Sequence, residues 1–273
     1  MTQELSVARH YADAKLMSRI QDGLRAAGLR APLDPAALWE IDELHAGGHE
    51  ATVPFLDQLG ILDGQQVLDL GCGLGGAARY AARHYGAEVI GVDLSAEYVS
   101  AGKELTRLAG QSARVKHVHG NIVDLPFLGQ SFDCAYMIHV GMNIADKLHA
   151  TKEIARILKP GAMFGIFDIM RMSESDITYP QIWADSPRQS AVVGTDRYRF
   201  ALEKAGFEIV SETNYAEMAL KIYKSGVGKT VAPGHLGLEV VMGSDTELRM
   251  KNLVDDIGRR NIAPYVMIAR VKP

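Results

Sequence analysis

The sequence predicts an α/β fold in which a doubly wound, mainly parallel sheet of seven strands lies between two layers of helices. Two observations predict it. From Gln65 to Asp168, short apolar runs typical of buried strands alternate with helical patterns of about 10–15 residues. The first apolar run ends in a cluster of glycines that opens a helix, as in parallel βαβ units that bind a ligand at the sheet edge.

Length and composition fit this fold class and exclude several others. The chain has 273 residues, of which 47% are hydrophobic and 23% are charged. Domains usually contain about 100–200 residues, so this length fits one large domain or a domain with a lid. The 29 basic and 33 acidic residues give a formal net charge of −4, which disfavours nucleic acid as the main partner.

Targeting and metal signals are also missing from the sequence. No apolar run is long enough for a membrane span, and the N-terminal segment has no signal-peptide core. The cysteines Cys72 and Cys134 match neither a disulfide framework nor a zinc spacing, and we expect no metal site. The cytoplasm is therefore the expected compartment.

Helices are expected over residues 1–60, before the first strand. Apolar residues at helical spacing predict a helix over residues 3–27. Asp34 and Pro35 fit the N-cap and first position of a short second helix. The glycines at 47–48 precede a third helix, 49–59. We expect this N-terminal part to cover the site at the edge of the sheet.

Residues 61–273 are expected to form the main domain. Strands are predicted at 67–70, 88–92, 115–118, 132–138 and 163–167, and helices at 77–85, 96–108 and 146–158. A helix at 195–205 and strands at 207–211 and 265–271 follow, the two strands forming an antiparallel edge. Residues 170–194 and 212–260 are expected to be insertions that build a helical cap, the second one interrupted at 226–237.

The glycine turn is the strongest functional motif. Residues 67–76 read VLDLGCGLGG, and the next strand ends in Asp93, 22 residues after Gly71. Glycines let a ligand approach the main chain, and a carboxylate at a strand end can accept hydrogen bonds from ribose hydroxyls. The spacing departs from the G-x-G-x-x-G of dinucleotide sites, and Asp69 would repel a pyrophosphate. An acid there can hold an ammonium group, which favours S-adenosylmethionine as the cofactor.

At this point the chain resembles the class I S-adenosylmethionine-dependent methyltransferases, which have a Rossmann-like sheet. The motifs are VLDLGCGLGG, EVIGVDLS (88–95), HGNIVDLPF (119–127), SFDCAYMIHV (131–140) and ILKPGAMFGIFD (157–168). A segment at 42–52, DELHAGGHEAT, also resembles the sarcosine/dimethylglycine type, and the chain is similar to the ubiquinone/menaquinone type as well. The resemblance implies the cofactor contacts: Asp69, Gly71 and Gly73 around the methionine part, Asp93 on the ribose, Leu94 against the adenine, and Asn121 and Ile122 at the adenine edge.

Methyl transfer requires alignment and exclusion of water more than a fixed catalytic triad, so catalytic residues are harder to predict. His139 follows the fourth strand and is the candidate base; the alternative is a packed histidine that shapes the cofactor pocket. Asn143 and His45 are candidate substrate contacts, with helix or turn capping as their alternative. Tyr11, Met170 and Trp183 are candidates for a lid wall over the substrate, or for ordinary packing of a cap.

The sequence therefore predicts methyl transfer from S-adenosylmethionine to a small or medium organic acceptor. We expect a nitrogen or oxygen acceptor ahead of carbon, with no nucleic-acid partner. Apolar residues of the later helices are expected in the core or at a contact between copies, so a homodimer is compatible with the sequence. Two other functions stay open: a non-catalytic S-adenosylmethionine-binding protein, and a nicotinamide-dependent oxidoreductase, which the glycine spacing disfavours.

Overall fold

The computed structural model describes residue 7, residues 10–225 and residues 236–273. Its centre is a seven-stranded sheet in the order β3-β2-β1-β4-β5-β7-β6. The strands are β1 (Gln66–Leu70), β2 (Glu88–Asp93), β3 (Val115–His119), β4 (Phe132–Ile138), β5 (Leu158–Arg171), β6 (Phe207–Asn214) and β7 (Ile262–Val271). The first five run parallel, and β7 is antiparallel to β5 and β6. The predicted doubly wound sheet with an antiparallel edge is confirmed.

Helices cover both faces of the sheet. They are α1 (Leu16–Ala26), α2 (Trp39–Asp42), α3 (Gly48–Asp57), α4 (Gly76–Tyr85), α5 (Ala96–Leu108), α6 (Lys147–Ile157), α7 (Thr195–Lys204), α8 (Ala216–Ser225), α9 (Glu239–Met242) and α10 (Thr246–Gly258). Short 3₁₀ helices span Pro35–Leu38, Gly141–Asn143 and Pro187–Gln189. Side-chain caps start several of these helices; for example, Ser95 accepts a hydrogen bond from the Tyr98 amide at the start of α5.

Alternate residues of the buried strands pack on opposite faces of the sheet. On β1, Val67 belongs to the apolar cluster of one face, whereas Leu68 and Leu70 belong to that of the other. This alternation explains why the strands read as nearly continuous apolar runs, since both faces of a parallel sheet are covered by helices. The sheet therefore holds the carboxyl ends of β1, β2 and β4 at one rigid edge.

The predicted helix over 3–27 is interrupted: residues 7, 10 and 11 are helical, but the helix does not continue through residues 12–15. Residues 12–15 form a turn, and α1 begins at Leu16. The Asp13 carboxylate accepts a hydrogen bond from the Lys15 amide, and its carbonyl accepts one from the Leu16 amide. An aspartate that bonds the backbone two residues on competes with helix formation, which explains the break. Residues 1–6, 8 and 9 lie outside the described residues.

The helical cap was predicted to consist of two segments, and the first of them, 170–194, is not helical. Residues 158–171 continue as β5, and the segment from 172 to 194 is irregular apart from one 3₁₀ turn. Its backbone is held by side chains instead: the Thr178 amide donates to Asp256 of α10 at 2.7 Å, and Trp183 Nε1 donates to the Ser190 hydroxyl at 2.9 Å. In the second part, α8, α9 and α10 are helical, and residues 226–235 of the expected break lie outside the described residues.

The expected absence of a membrane span can be compared with the helices of the structure. Within residues 10–225 and 236–273, no helix combines the length and the apolar character that crossing a bilayer requires.

Candidate active site

The glycine turn after β1 forms one wall of a cavity of about 460 Å³ at the carboxyl edge of the sheet. Gly71 and Gly73 have φ angles of +74° and +53°, in the left-handed region that favours glycine. A Cβ atom on Gly71 would also collide with the Val140 side chain, which follows β4. The turn therefore brings bare main chain against the cavity, as close approach of a ligand requires.

Asp93 lies at the end of β2, at the rim of this turn. Its Oδ2 accepts a hydrogen bond from the Gly73 amide at 2.9 Å, and its Oδ1 accepts one from the Ser95 amide at 2.8 Å. Burial raises the pKa of this carboxyl, although both amide hydrogen bonds lower it. Each carboxylate oxygen can accept a second hydrogen bond, so the side chain is held in place and can still receive two ribose hydroxyls.

Asp69 on β1 provides the test of whether a cationic group fits the cavity. The residue is 2% exposed, and its Oδ2 atom has no hydrogen-bond partner in the described part of the chain. Burial and the negative charge of Asp93 raise its pKa to about 8, although the nearby Tyr136 hydroxyl lowers it. An ammonium group beside it would supply the missing partner and lower the pKa again. The amino group of S-adenosylmethionine fits this requirement, whereas a pyrophosphate does not.

His139 follows β4 and lies between the cofactor wall and the N-terminal segment. Its φ of +54° turns the chain sharply after the strand, and its amide donates to the Phe167 carbonyl at 2.6 Å. Burial, with a smaller effect of His45, lowers its pKa well below the usual value, so the ring is neutral. Its Nε2 atom has no hydrogen-bond partner among the described residues. A neutral ring with a free nitrogen can bind an acceptor group, but it is a weak base at neutral pH.

A buried cluster around Glu43 faces His139. Nε2 of His45 lies 2.6 Å from Oε2 of Glu43, and the Thr52 hydroxyl donates to the same oxygen at 2.9 Å. The rings of His45 and His139 have centroids 5.4 Å apart. Burial raises the pKa of Glu43, but hydrogen bonds from His45 and Thr52, together with the His49 ring 3.5 Å from Oε1, outweigh it and bring the pKa to about 2. Glu43 is therefore an ionised carboxylate at the cavity wall, and its role had not been predicted from the sequence.

The roof of the cavity is made by segments far apart in the sequence. The Asn143 amide donates to the Tyr11 hydroxyl at 3.2 Å, and burial raises the pKa of Tyr11 to about 12. Arg249 of α10 forms an ion pair with Asp185 at 2.5 Å, and the His10 ring lies 3.4 Å from the same carboxylate. These contacts join the N-terminal segment, the segment after β5 and α10 over the side of the cavity opposite the sheet.

Most of the predicted site residues lie together at the cavity. Those that line it are Tyr11, His45, Asp69, Gly71, Gly73, Asp93, Leu94, His139 and Asn143. Two cofactor candidates lie outside this lining: Asn121 accepts a hydrogen bond from the Val123 amide, and Ile122 packs in the core beside β2. Both residues follow β3. Because β3 pairs with β2, they lie near Leu94, which follows β2.

The structure places Met170 and Trp183 away from the cavity, contrary to the lid expectation. Met170 is fully buried on β5, because that strand extends beyond the predicted end and carries the residue into the sheet core. Trp183 is 1% exposed and packs between β5 and α10. The neighbouring Ile182 reaches the cavity in its place.

Sequence reasoning missed the acidic pair Asp42 and Glu43 and the roof residues Arg249 and Asp185. The segment 42–52 was identified only by its resemblance to a known type, with no role for its acids. Two consecutive acids before His45 were the available indication. Arg249 and Asp185 are 64 positions apart, so only the fold brings them together.

The chain matches the family model described as a methyltransferase domain over residues 68–166. The match includes the glycine turn, Asp93 and His139. The chain carries a methyltransferase domain. The match supports the predicted methyltransferase with S-adenosylmethionine as its cofactor.

Two relatives show how far the similarity extends. The chain is 33% identical over 173 residues to cycloartenol-C-24-methyltransferase of Arabidopsis thaliana, covering 59% of this chain and 49% of that one. It is 27% identical over 243 residues to methyltransferase GfsG of Streptomyces halstedii, covering 88% and 84%. The chain spans about half the length of the cycloartenol enzyme.

Among solved structures, geranyl diphosphate C-methyltransferase from Streptomyces coelicolor A3(2) has a similar fold. The TM-score is 0.70 at 17% identity, and the match covers 99% of this chain and 98% of that one. That structure contains S-adenosyl-L-homocysteine. The comparisons confirm the fold and the class, but not the sarcosine/dimethylglycine or ubiquinone/menaquinone type, and they do not support a nitrogen or oxygen acceptor over carbon.

Proposed function

We propose that this chain transfers a methyl group from S-adenosylmethionine to a carbon atom of an unsaturated, largely apolar acceptor. The observation that carries the proposal is the buried, ionised carboxylate of Glu43 at the cavity wall, beside His45 and His139. A carbon acceptor develops positive charge on its own skeleton when it is methylated, and a fixed negative charge in a dry cavity stabilises that charge.

The cofactor supplies an electrophilic methyl group on a positively charged sulfur. Asp69 binds the amino group of the cofactor, and Asp93 binds the ribose. The main chain of the glycine turn lets the cofactor come close to β1. The Tyr11–Asn143 contact and the Arg249–Asp185 ion pair form the roof under which the acceptor would be held against the methyl group.

The proposed step balances as follows. The methyl–sulfur bond breaks, its electron pair stays on sulfur, and a carbon–carbon bond forms from the double bond of the acceptor. The acceptor cation is a strong enough acid to protonate a carboxylate of low pKa, and it then loses a proton to Oε1 of Glu43, which His49 Nδ1 approaches only to 3.5 Å. The double bond is restored, and Glu43 returns the proton to solvent when the product leaves. Neutral His139 orients the acceptor through its free nitrogen.

The acceptor class rests on the cavity wall and on the named relatives. Beyond the ionisable groups, apolar side chains line the cavity, among them Leu44, Met142, Ile182, Val241 and Met242. The relative from Arabidopsis is named a sterol-type C-24 methyltransferase, and the similar fold from Streptomyces a C-methyltransferase of geranyl diphosphate. Both names favour an isoprenoid-like alkene over an amine or phenol.

Product analysis with a labelled methyl group tests the proposal. The protein is incubated with S-adenosylmethionine that carries a ¹³C methyl group, together with one acceptor at a time. The acceptors are an isoprenoid alkene, an enol, a phenol and an amine that methylation would make tertiary. Carbon–carbon coupling to the label in the product supports a carbon acceptor. A label bound to nitrogen or oxygen overturns it and returns the acceptor to the class that the sequence predicts. Binding of S-adenosylhomocysteine without transfer to any acceptor favours a non-catalytic binding protein.

The Glu43→Gln variant tests the role of the carboxylate. We expect turnover to fall by about 100-fold, within the range for loss of a general base. Glu50→Gln is the matched control, because Glu50 lies on the adjacent helix α3 and is exposed. Wild-type turnover in Glu43→Gln would show that the charge has no part in the reaction.

A further inference from the structure

Arg79 joins three separate elements beneath the cavity. It lies on α4 and its side chain is 1% exposed. Nη1 donates to the Leu74 carbonyl of the glycine turn at 2.7 Å and to the Thr106 hydroxyl of α5 at 3.1 Å. Nη2 donates to Oδ1 of Asp42, in α2, at 2.5 Å. One guanidinium therefore binds the cofactor turn, a sheet-covering helix and the N-terminal segment.

Asp42 meets Arg79 in a contact that leaves little room for adjustment. Its side chain is also 1% exposed, and a Cβ atom on Gly76 would lie 2.5 Å from the Asp42 Cβ. Since such atoms do not approach so closely, α2 can rest on the first turn of α4 only because residue 76 is glycine. The pair is buried, directional and charge-assisted, unlike an exposed ion pair.

The next residue in the chain is Glu43, whose carboxylate points in another direction. Asp42 ends α2 and binds Arg79, whereas Glu43, one residue on, binds His45 and Thr52. Asp42 lines both the main cavity and a second cavity of about 370 Å³ that lies against Arg79. Asp42 therefore lies between these cavities. Its ion pair with Arg79 fixes the backbone that carries Glu43.

We propose that Asp42 is a positioning residue that acts through Glu43: its ion pair with Arg79 holds the Glu43 carboxylate beside the positive charge that passes from the cofactor to the acceptor with the transferred methyl. This rests on the proposed function, because it assigns a purpose to the charge of Glu43. Asp69 and Asp93, and not Asp42, bind the cofactor in this proposal. When Asp42 is replaced, Arg79 keeps its hydrogen bond to the Leu74 carbonyl.

The chain contains a matched control pair. Arg83 and Asp34 form an ion pair of 3.0 Å that also joins α4 to the N-terminal segment, but both side chains are more than 60% exposed. An exposed pair contributes little to stability or geometry. Asp34→Asn therefore changes the same charge type between the same parts of the fold without touching Glu43.

Two cofactor analogues test the proposal without any acceptor. Sinefungin carries a protonated amine in the place of the transferred methyl, and S-adenosylhomocysteine has no charge there. Isothermal titration measures the ratio of their dissociation constants in wild type, Glu43→Gln, Asp42→Asn, the double variant and Asp34→Asn. We expect wild type and Asp34→Asn to prefer sinefungin by about 10-fold, from attraction to the Glu43 charge.

Asp42→Asn is expected to lose this preference, with S-adenosylhomocysteine binding within about 3-fold of wild type. In the double variant we expect no further loss beyond Glu43→Gln, because residues in one network are not additive. The proposal about Asp42 is overturned if Asp42→Asn keeps the preference for sinefungin, or if the double variant loses more of that preference than Glu43→Gln does. Neither result contradicts the proposed function. A wild type without preference for sinefungin overturns the Glu43 charge role as well.

Folding of the variants is checked by thermal unfolding. If Asp42→Asn does not fold, Arg79→Lys replaces it, since lysine keeps the charge but loses the forked contact with Leu74, Thr106 and Asp42. A reduced sinefungin preference in Arg79→Lys supports the proposal, and an unchanged one contradicts it.

Discussion

Nε2 of His45 lies 2.6 Å from Oε2 of Glu43, and this contact leaves the two oxygens of the carboxylate unequal. Oε2 accepts hydrogen bonds from His45 and the Thr52 hydroxyl, whereas among the described residues Oε1 has only His49 Nδ1 nearby, at 3.5 Å and outside hydrogen-bond geometry. One oxygen therefore holds the side chain in place, and the other is available to a ligand. That division is what a carboxylate needs in order to be both fixed and reactive.

The first prediction concerns Asp93 and the cofactor. Asp93→Asn keeps the size of the side chain but replaces one accepting oxygen by an amide and removes the charge. We expect binding of S-adenosylhomocysteine to weaken by about 100-fold, since hydrogen bonds to a charged group contribute about 1.5–3 kcal/mol each. Isothermal titration measures it. Asp124→Asn, an exposed acid after β3, is the control and should bind as wild type does.

The second prediction tests why residue 71 is glycine. Gly71→Ala meets two obstacles: a left-handed φ of +74° and the Val140 side chain in the space of its Cβ. We expect it to destabilise the fold by about 1–3 kcal/mol and to abolish detectable cofactor binding. The double variant Gly71→Ala/Val140→Ala should recover part of the stability. It removes the collision with the residue 140 side chain but not the backbone strain at residue 71. Equal urea midpoints for Gly71→Ala and wild type would contradict both reasons.

The parallel core of the fold could be predicted from sequence because it is local in pattern. The strand 132–138 was predicted with the bounds it has, and the helix 96–108 begins after a serine cap that sequence rules identify. The glycine turn and Asp93 follow from spacing alone. These features depend on neighbours in the chain, so the sequence carries them directly.

The remainder depends on contacts between distant residues. The segment after β5 was expected to be helical, but its order comes from Asp256, 78 positions after Thr178. Glu43 was overlooked because its burial and its low pKa come from His45, His49 and Thr52, which approach it only in the fold. The sequence shows an acid shortly before a histidine. Only the packing of the fold buries that acid and keeps it ionised.

The third prediction concerns His139. His139→Asn is the appropriate variant, since asparagine tolerates the positive φ of +54° better than alanine. We expect turnover to fall by about 10-fold, or ~1.4 kcal/mol in the barrier, with cofactor affinity within a few-fold of wild type. Because burial holds the histidine pKa well below 6.5, wild type and variant should show the same pH dependence of turnover from pH 6 to 8. A wild-type step near pH 6.5 that the variant lacks would show that His139 titrates as a base.

The fourth prediction is a pH effect on stability from His117, on β3 beneath the glycine turn. The side chain is 5% exposed, with Nε2 at 2.9 Å from the Thr106 hydroxyl and Nδ1 at 3.6 Å from Cys72 Sγ. Burial, aided by the positive charge of Arg79, lowers its pKa from 6.5 to about 4. The unfolded chain therefore binds a proton at His117 below pH 6.5 while the folded chain does not. Stability is lost as pH falls from about 6.5 to 4, by about 3 kcal/mol from this residue.

Urea unfolding of wild type and His117→Gln between pH 4 and pH 7 measures this effect. The variant should be less stable than wild type at pH 7, where it loses the packed ring, and the gap should narrow as the pH falls, because glutamine does not titrate. His84→Gln, which changes an exposed histidine of α4, should follow the wild-type curve throughout. A constant gap between wild type and His117→Gln would mean that His117 has the same pKa in the folded and the unfolded chain, and the packing of the glycine turn on a ring that stays neutral would then be wrong.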